Sequence, residues 1–387
     1  MTDQLSTAPT VAVIGDNPTR LWGISMTERT RRIARAAKLG WAEPGVDGAA
    51  PAAPVVLVNP AFAFDPGWLR HVAAHPGLAL TKGGVPVLAH ATSDATAAAV
   101  AGAMQDGTVL DAPGLETVAY ESGPTLENEE LRKREVPFLD RLEPATVRSL
   151  ERASYAGAYK GVTDLLTKYL WPEWALVLTR LAARIGMTPN MVTSVGAILC
   201  VIATICFFRG WYWTGLGLGL VFMVLDTVDG KLARCTITSS WWGNIFDHGI
   251  DLIHPPIWWY AWGVGLGAVG LALTDTMFWT VMAVMLAGYV LQRLIEGAFI
   301  QQFGMHIHVW RKFDSDFRLV TARRNPNMVI LFASLLFGRP DVGLIAVAVW
   351  TMLSLVVHLV QLVQAFIARA RGQKLVSWLA TDASAST

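Results

Sequence analysis

The sequence predicts an integral membrane α-helical bundle of about six transmembrane helices, preceded by a soluble α/β domain. One observation is composition, since 53% of the 387 residues are hydrophobic and only 16% are charged, which is more apolar than an average soluble chain. The other is placement, because long apolar blocks begin only near Met187. We therefore expect a soluble cytoplasmic α/β domain at 1–159, an interfacial amphipathic helix at 160–186, a transmembrane domain at 187–372 and a flexible C-terminal tail at 373–387.

Short strands and turns characterise the first of these regions. Val11–Ile14 and Val55–Val58 are continuous apolar runs typical of buried strands. Residues 78–90 predict a hairpin, because two such runs flank the pair Gly83-Gly84. Thr27–Leu39 predicts a basic amphipathic helix and 49–54 a loop. Together these elements favour a mixed α/β fold.

The next region predicts a connection to the membrane. Pro137–Tyr159 is charged and helix-forming, as expected of an arm between the domain and the bilayer. Asp164–Ile185 combines tryptophans and leucines with arginines, a mixture typical of a helix lying at the membrane interface. Thr188-Pro189 then predicts the start of the first span, because the threonine is a good N-cap and proline is favoured in the first helical turn.

Roughly six apolar blocks follow, and about 20 apolar residues are enough to cross a bilayer. They are Val192–Phe208, Trp213–Asp229, Asn244–Ala268, Met277–Ile300, Met328–Phe337 and Val342–Phe366. The fifth is short, so its bounds are the least well defined by the sequence.

Basic residues in the connections predict the orientation. They concentrate around the motif region, after the fourth block and after the last one: Arg180, Arg184, Lys231, Arg234, Arg311, Lys312, Arg318, Arg323, Arg324, Arg369, Arg371 and Lys374. By the positive-inside rule, both termini and the acidic site described next should face the cytoplasm of a multi-pass inner-membrane protein. No cleavable signal peptide is expected, because the N-terminus lacks a basic stretch followed by an apolar core. The net charge of +1 and the lack of basic-aromatic repeats argue against nucleic-acid binding.

Four aspartates inside the apolar blocks carry the functional signal. Asp226 and Asp229 are spaced i, i+3 on one helix, and Asp247 and Asp251 are spaced i, i+4 on the next, so each pair should share a helical face. Carboxylates at membrane depth persist only where they serve a protein interior, a cavity or a cation. If the two faces are opposed, their oxygens suit a hard cation such as Mg²⁺, Mn²⁺ or Ca²⁺.

Small residues and an arginine accompany the carboxylates. Gly230, Ala233 and Gly243 should leave the surface near the metal bare enough for a bulky ligand. Arg234 offers the planar donor fork that binds phosphate well. A metal-bound pyrophosphate, and hence phosphoryl transfer, is the chemistry that this combination favours.

The pattern D-x2-D-G-x2-A-R-x8-G-x3-D-x3-D, complete from Asp226 to Asp251, resembles the signature of the CDP-alcohol phosphotransferases. The resemblance implies transfer of a substituted phosphate from a CDP-linked donor to an alcohol, with CMP leaving, assisted by two divalent cations, Mg²⁺ or Mn²⁺. Asp251 is then the catalytic base. The implied metal ligands are Asp226, Asp229, Asp247 and Asp251. The implied CDP-binding residues are Asp229, Gly230, Ala233, Arg234 and Gly243. A homodimer embedded among membrane lipids is the implied assembly.

The substrates stay open between two versions. CDP-diacylglycerol as donor and a polar alcohol or its phosphate as acceptor is favoured by Arg323 and Arg324, which could bind an acceptor phosphate. A CDP-linked polar alcohol as donor and a lipid as acceptor is favoured by the run 246–251, which is similar to the choline and ethanolamine phosphotransferases. His254 could position the acceptor hydroxyl, or pack as a polar residue before Pro255-Pro256. A catalytically inactive membrane protein that binds cations or CDP-lipids is the alternative from another class.

The opening of the soluble domain resembles the sugar-phosphate nucleotidyltransferases. The similar run is 15–21, after the first strand, and such a domain precedes the membrane region in bifunctional enzymes that make CDP-inositol and di-myo-inositol-phosphate-phosphate. The chain departs from that pattern, because Asn59 stands where a metal-binding aspartate is expected and the proline-lysine pair is missing. We therefore expect a degenerate nucleotidyltransferase-like domain without cytidylyltransferase activity.

Overall fold

The N-terminal region folds around a mixed β-sheet. The computed structural model describes residues 9–43, 49–128, 131 and 133–381, and within these ranges the main sheet has six strands in the order β2-β1-β3-β6-β5-β7. The strands are β1 Thr10–Val13, β2 Gly40–Trp41, β3 Val55–Val58, β4 Phe62–Phe64, β5 Leu78–Lys82, β6 Val85–Ala91, β7 Glu116–Ala119, β8 Leu126–Asn128, β9 Lys133–Glu135 and β10 Leu139–Arg141. The helices of this region are α1 Met26–Ala36, α2 Pro66–Ala74, α3 Asp94–Asp106 and α4 Val147–Gly157. The predicted α/β fold is confirmed, except that its first eight positions lie outside the described residues.

The predicted strands and hairpin are confirmed. β1 pairs with β3 in parallel, and β5 pairs with β6 across the Gly83-Gly84 turn. Both turn glycines have positive φ, +58° and +79°, the backbone region that glycine enters most readily. The basic amphipathic helix expected at Thr27–Leu39 is α1, which begins one residue earlier, where Ser25 caps it by accepting the Glu28 N–H.

Alternating side chains of the buried strands build two layers. In β3, Val56 and Val58 join a cluster with α1 and α2, whereas Val55 and Leu57 join a second cluster with α3. This follows from the two-residue period of a strand, which sends successive side chains to opposite faces. The first cluster continues without a break into the helical region, so the sheet rests on the bundle through an apolar contact.

A short helical segment connects the two regions. A turn at Leu166–Leu170 leads into helix α5, Pro172–Arg184. This helix buries Ala175, Leu176 and Thr179, while Trp174 is 69% exposed. An exposed apolar stripe beside a buried one is what a helix at a membrane interface requires. The interfacial position itself stays a prediction.

The C-terminal region is helical. Its helices are α6 Pro189–Phe208, α7 Tyr212–Cys235, α8 Trp241–Gly265, α9 Asp275–Phe303, α10 Lys312–Arg318, α11 Arg324–Leu336, α12 Pro340–Ala370 and α13 Trp378–Thr381. Among the described residues, α6, α9 and α12 are long and apolar enough to be candidate membrane spans. The other predicted blocks are helices as well, but α7 and α8 carry the charged motif and α11 has 13 residues. The expected count of about six spans is therefore not confirmed.

Small residues set the approach of the two motif helices. A Cβ on Gly219 of α7 would lie 2.9 Å from the Trp258 ring of α8, and a Cβ on Gly215 would lie 2.7 Å from the Phe207 ring of α6. Glycine at such contacts lets helix backbones pack closely. α7 is thereby held against both neighbours, with the ends that carry aspartates side by side.

Helix α1 of the N-terminal domain is bonded to the end of α7. Arg29, which is 1% exposed, donates from Nη1 to the Cys235 carbonyl oxygen at 2.5 Å. Arg32 donates to the Thr236 carbonyl at 3.0 Å. Both carbonyls belong to the last turn of a helix, where they lack intrahelical donors and the helix dipole favours cations.

Replacing Arg29 with methionine should loosen this junction. The variant keeps side-chain length but leaves a buried carbonyl without its donor, a loss of about 1–3 kcal/mol of stability. Thermal unfolding of the purified full-length protein should shift to lower temperature, and the N-terminal domain should become more sensitive to limited proteolysis. Arg31→Met on the same helix is the control, because Arg31 is exposed and pairs with Glu43. Equal behaviour of the two variants would contradict the assigned role.

The flexibility expected of the tail at 373–387 stays a prediction, although Ser377 and Trp378 in this segment have hydrogen-bond partners. The Ser377 hydroxyl donates to the Val309 carbonyl oxygen at 2.8 Å, and the Trp378 indole donates to Ser315 Oγ at 2.9 Å. The two partners lie in the turn before α10 and in α10 itself. The last six positions of the predicted tail lie outside the described residues.

Candidate functional site

Three of the four motif aspartates converge between α7 and α8. One carboxylate oxygen from each of Asp226, Asp247 and Asp251 lies within 4.8 Å of the other two. The spacing of each pair along its helix places them on facing surfaces, and the close packing of the helices joins those surfaces. Like charges so close together require a cation or protons to coexist.

Asp229 is held differently. It is 3% exposed, and its Oδ2 accepts a hydrogen bond from the Thr193 hydroxyl of α6 at 2.5 Å, while Oδ1 accepts the Gly230 N–H. Asp226 and Asp247 act on it electrostatically, so it lies beside the trio. Within the described residues, Asp229 is thus anchored by Thr193 of α6, a helix that carries none of the motif residues.

The guanidinium of Arg324 bridges two of the converging carboxylates. Its Nη2 donates to Asp226 Oδ2 at 2.6 Å and its Nη1 donates to Asp251. Arg324 is the first residue of α11, and its side chain is 14% exposed. The positive charge of the guanidinium offsets the repulsion among the carboxylates. It contacts oxygens of Asp226 and Asp251 that a metal cation could also bind. The donor set therefore fits a hard divalent cation.

The glycines of the motif lie at tight contacts. A Cβ on Gly243 would lie 2.7 Å from Asn190 Oδ1, and a Cβ on Gly230 would lie 3.2 Å from the Arg234 guanidinium. Arg234 donates from Nε to the Ala158 carbonyl of the connecting segment at 3.0 Å. Both glycines therefore have a packing role, whereas contact with a nucleotide by them, by half-buried Ala233 or by Arg234 stays a prediction.

Comparison with known proteins bears on the region that contains these residues. Residues 186–356 match the family model described as CDP-alcohol phosphatidyltransferase. This region is a CDP-alcohol phosphatidyltransferase domain.

Curated relatives of the domain act in phospholipid synthesis. Phosphatidylinositol phosphate synthase of Cutibacterium acnes is 39% identical over 82 residues, 20% of this chain and 40% of that protein. Human cholinephosphotransferase 1 is 36% identical over 121 residues, 28% of this chain and 29% of that protein. The chain spans 40% or less of the length of these relatives. A solved structure, Mycobacterium tuberculosis phosphatidylinositol phosphate synthase with CDP-DAG bound, is 18% identical with a TM-score of 0.39 and covers 49% of this chain and 94% of its own.

Arg323, paired with Arg324 in the sequence hypothesis, lies in a separate cluster of the CDP-alcohol phosphatidyltransferase domain. Its guanidinium donates to Glu296 and lies 3.3 Å from His308 Nε2. Helix α11 begins at this point, so the two consecutive arginines diverge and Arg323 does not join the carboxylate trio.

His308 is buried in that cluster. It is 3% exposed, and its burial lowers the pKa of the ring well below the usual range. Glu296, His308 and His358 have potential ligand atoms within 4.8 Å of one another, but the positive charges of Arg293 and Arg323 act on them. The cluster therefore disfavours a metal cation. The sequence does carry a signal for this cluster, because Glu296 is a carboxylate within a predicted apolar block. The criterion that singles out the four aspartates applies to Glu296 as well.

Lys231 of the motif packs against the connecting segment. It is 2% exposed, and its Nζ lies over the Tyr159 ring, with Tyr155 beyond it. Within the described residues Nζ has no hydrogen-bond partner, so its close neighbours are the faces of these two rings. Burial raises the pKa of both phenols, which therefore stay neutral. The sequence offered no signal for this contact, because tyrosines in a linker are common.

His254 lies on α8, three residues after Asp251. Its Nδ1 is 2.7 Å from the Ile250 carbonyl oxygen, and its ring packs edge-on against Phe222 and Trp258. Helix α8 continues through Pro255 and Pro256 to Gly265. His254 is thus placed beside the carboxylates, as predicted from its helical spacing, and its role stays a proposal.

Proposed function

We propose that the protein is a metal-dependent CDP-alcohol phosphotransferase that moves a substituted phosphate from a CDP-linked donor to an alcohol and releases CMP. The observation that carries this proposal is the convergence of Asp226, Asp247 and Asp251, two of which bind the Arg324 guanidinium, inside a domain of the matching family. The names of the relatives, phosphatidylinositol phosphate synthase and cholinephosphotransferase, support a role in phospholipid synthesis.

The carboxylates are proposed to hold two divalent cations, Mg²⁺ or Mn²⁺. The ligands are Asp226, Asp229, Asp247 and Asp251, which together supply only hard oxygen donors. Bound cations would neutralise the donor diphosphate and stabilise the leaving CMP. The glycines, Ala233 and Arg234 are proposed to surround the cytidine diphosphate.

Asp251 is proposed as the base that takes the acceptor proton. Its side chain is 42% exposed, compared with 18% for Asp226. The more open carboxylate is the one that an incoming hydroxyl can reach, and a base must lie within hydrogen-bond distance of the proton that it removes. Arg324, bonded to Asp251, is positioned to bind acceptor or donor phosphate once released from the carboxylates.

The setting of the reaction is also proposed. The candidate spans and the basic connections support a multi-pass protein of the inner membrane, with the site and both termini on the cytoplasmic side. A homodimer is proposed from the family resemblance alone.

One experiment separates the enzyme from an inactive binding protein. The purified full-length protein is incubated with labelled CDP-diacylglycerol or a labelled CDP-linked polar alcohol, a lipid extract and polar alcohols, with Mn²⁺ or with EDTA. We expect CMP release that requires the metal, and product analysis identifies the acceptor. Metal-dependent retention of the CDP donor without CMP release from any mixture would instead support the inactive binding protein.

The soluble domain is proposed to lack cytidylyltransferase activity. Asn59 is 2% exposed and its side chain is engaged with the Pro86 carbonyl and the Ala61 N–H, so this position, where a metal-binding aspartate is expected, has a structural use. The Lys82 ammonium of this domain is paired with the Asp140 carboxylate, which is a structural use of this cation. The full-length chain should release no pyrophosphate from CTP; release above the buffer background would overturn this proposal.

Replacing Arg324 with alanine should make the protein more dependent on divalent metal. Without the guanidinium the carboxylates repel one another, so thermal unfolding in EDTA should occur at lower temperature. The apparent affinity for Mn²⁺ should rise about tenfold or more, because the cation no longer competes with the guanidinium for the carboxylates. Coupling energies between close charge pairs are about 1.5 kcal/mol or larger. Melting curves against Mn²⁺ concentration measure both effects without requiring turnover.

Arg323→Ala is the matched control for that variant. It removes the neighbouring arginine, which pairs with Glu296 outside the carboxylate trio, so the Mn²⁺ response should stay that of the wild type. Weaker Mn²⁺ binding by Arg324→Ala would show that this guanidinium assists the cation rather than competing with it.

A further inference from the structure

A basic pocket lies between the connecting segment and the two helices that flank it. Its cavity has a volume of about 340 Å³ and is enclosed by α4, residues 159–168 and the start of α5. Arg152, Lys160 and Lys168 bring positive charge to the lining, and Glu173 brings the one carboxylate among the lining residues. That carboxylate accepts two hydrogen bonds from Arg152, at 2.6 and 2.9 Å, so the two lysines set the sign of the pocket. The lining therefore favours an anion such as a phosphate.

An apolar stripe of α5 borders this pocket. Glu173, which lines the pocket, is followed by Trp174 and lies one helical turn before Val177. Trp174 is 69% exposed and Val177 is 60% exposed. The stripe continues on both sides along the chain, with exposed Tyr169, Leu170, Leu181 and Ile185. An exposed apolar patch of this kind beside a charged rim marks a contact with a membrane or a protein.

The combination of pocket and stripe distinguishes a lipid from a soluble anion. A free phosphate compound finds partners in the lysines but none in the stripe, whereas an anionic phospholipid has both a phosphate and hydrocarbon chains. Residues 185–188 alone separate the end of α5 from the start of the candidate span α6, so the stripe lies within reach of a bilayer surface. Helices that combine cations with an apolar face bind anionic bilayers in this way.

The wall of the pocket also contacts two residues of α7. Tyr155 and Tyr159 line the pocket, and the same two rings face Lys231 Nζ. Between them along the chain, the Ala158 carbonyl oxygen accepts a hydrogen bond from Arg234 Nε at 3.0 Å. The four motif aspartates are absent from the lining. A ligand in the pocket would thus order the segment that holds the end of α7 without entering the carboxylate group.

We propose that the pocket binds the headgroup phosphate of an anionic phospholipid through Lys160 and Lys168, with the lipid chains lying along the apolar stripe of α5. The lipid is a regulatory ligand that holds residues 158–168 against α7. It couples the anionic lipid content of the membrane to the position of Arg234. This inference does not require the proposed transferase activity, because it concerns a site outside the carboxylate group.

Photocrosslinking in nanodiscs tests the occupant. The full-length protein is placed in phosphatidylcholine nanodiscs that contain phosphatidylglycerol with a diazirine in one chain. We expect adducts on α5, and Lys160→Gln combined with Lys168→Gln should lower their yield about tenfold or more, since each lysine near an anionic surface strengthens binding about fivefold. The matched control is Arg371→Gln combined with Lys374→Gln, which removes two exposed cations beyond α12 and should leave the yield unchanged.

Several results would contradict the assigned occupant. Equal labelling of α5 by a diazirine phosphatidylcholine would show that the pocket does not select an anion. Labelling that the two lysine substitutions leave unchanged would overturn the headgroup contact, and crosslinks from α5 to a second protein molecule would assign the stripe to a protein partner. Full competition by free glycerol phosphate at the concentration of the labelled lipid would assign the pocket to soluble phosphates and overturn the lipid.

Trp174 tests the contact with the lipid chains. Trp174→Ala should lower the adduct yield about fivefold or more, because tryptophan offers one of the largest apolar surfaces of any side chain. Trp279→Ala is the matched control, since Trp279 is 61% exposed on α9 and lies outside the stripe. Equal yields from the two variants would overturn the assigned chain contact.

Hydrogen exchange tests the coupling to α7. With phosphatidylglycerol present, the backbone amides of residues 158–168 should exchange about tenfold or more slowly than in pure phosphatidylcholine, because a ligand stabilises the state that it binds. The variant with both lysines replaced should lose this protection, and the Arg371 and Lys374 control should keep it. Equal exchange in the two membranes would overturn the regulatory role. Neither measurement uses turnover, so the result stands apart from the outcome of the CMP-release experiment.

Discussion

Replacing Asp226 with alanine is expected to abolish CMP release and metal-dependent binding of the CDP donor together. Asp226 lies at the centre of the converging group, since it shares that group with Asp247 and Asp251 and accepts the Arg324 guanidinium. Its loss removes a proposed cation ligand and leaves Arg324 with one carboxylate partner fewer. We expect turnover to fall by a factor on the order of 10³, the effect of removing one preorganised electrostatic group from a reaction site.

Binding of the CDP donor with and without Mn²⁺, measured beside CMP release, checks this expectation. Asp275→Ala is the control, because Asp275 is an exposed aspartate at the start of α9 and lies outside the group. Donor affinity of full strength in Asp226→Ala, together with its usual response to Mn²⁺, would show that this carboxylate is not a ligand.

Replacing Asp251 with asparagine is expected to abolish turnover while leaving metal-dependent CDP binding largely intact. The amide keeps the shape of the side chain and one oxygen, but it cannot accept the acceptor proton. Since general-base catalysis contributes about 10²–10⁴-fold, CMP release should fall by at least the lower figure. Asp226, Asp229 and Asp247 still supply oxygens to the cation and the donor.

The comparison of the two variants is more informative than either alone. A loss of turnover with retained binding in Asp251→Asn, set against a loss of both in Asp226→Ala, would assign proton removal and cation binding to different carboxylates. Turnover at the wild-type rate in Asp251→Asn would reject Asp251 as the base. Loss of donor binding in Asp251→Asn would place this side chain among the essential metal ligands.

Much of the site could be predicted because it depends on spacing along a helix. Asp226, Asp247 and Asp251 converge as expected. The helical period places Asp226 and Asp229 on one face of α7, and Asp247 and Asp251 on one face of α8. Carboxylates within an apolar region are stabilised when such faces meet in the protein interior or around a cation. The buried strand Val55–Val58 and the hairpin around Gly83-Gly84 were predictable for the same kind of reason, because composition over a few residues defines them.

Other features depend on contacts between distant segments. The sequence separation of Thr193 and Asp229 is 36 residues, and that of Arg324 and Asp226 is 98. Nothing in the local pattern around Arg323 and Arg324 distinguishes the arginine that pairs with Glu296 from the one that enters the carboxylate group. His308 is buried because the turn Ile307–Val309 places it against Glu296 of α9 and His358 of α12.

By itself, the sequence determined that a family-specific set of carboxylates lies on helical faces within an apolar region, because helix periodicity and residue chemistry are local properties. Only the tertiary structure decided which partner each charged group has, including Thr193 for Asp229, Arg324 for two of the aspartates and Glu296 for Arg323. The physical reason is that ion pairs and hydrogen bonds act over a few ångströms, so they depend on how the helices pack and not on how their residues are ordered along the chain.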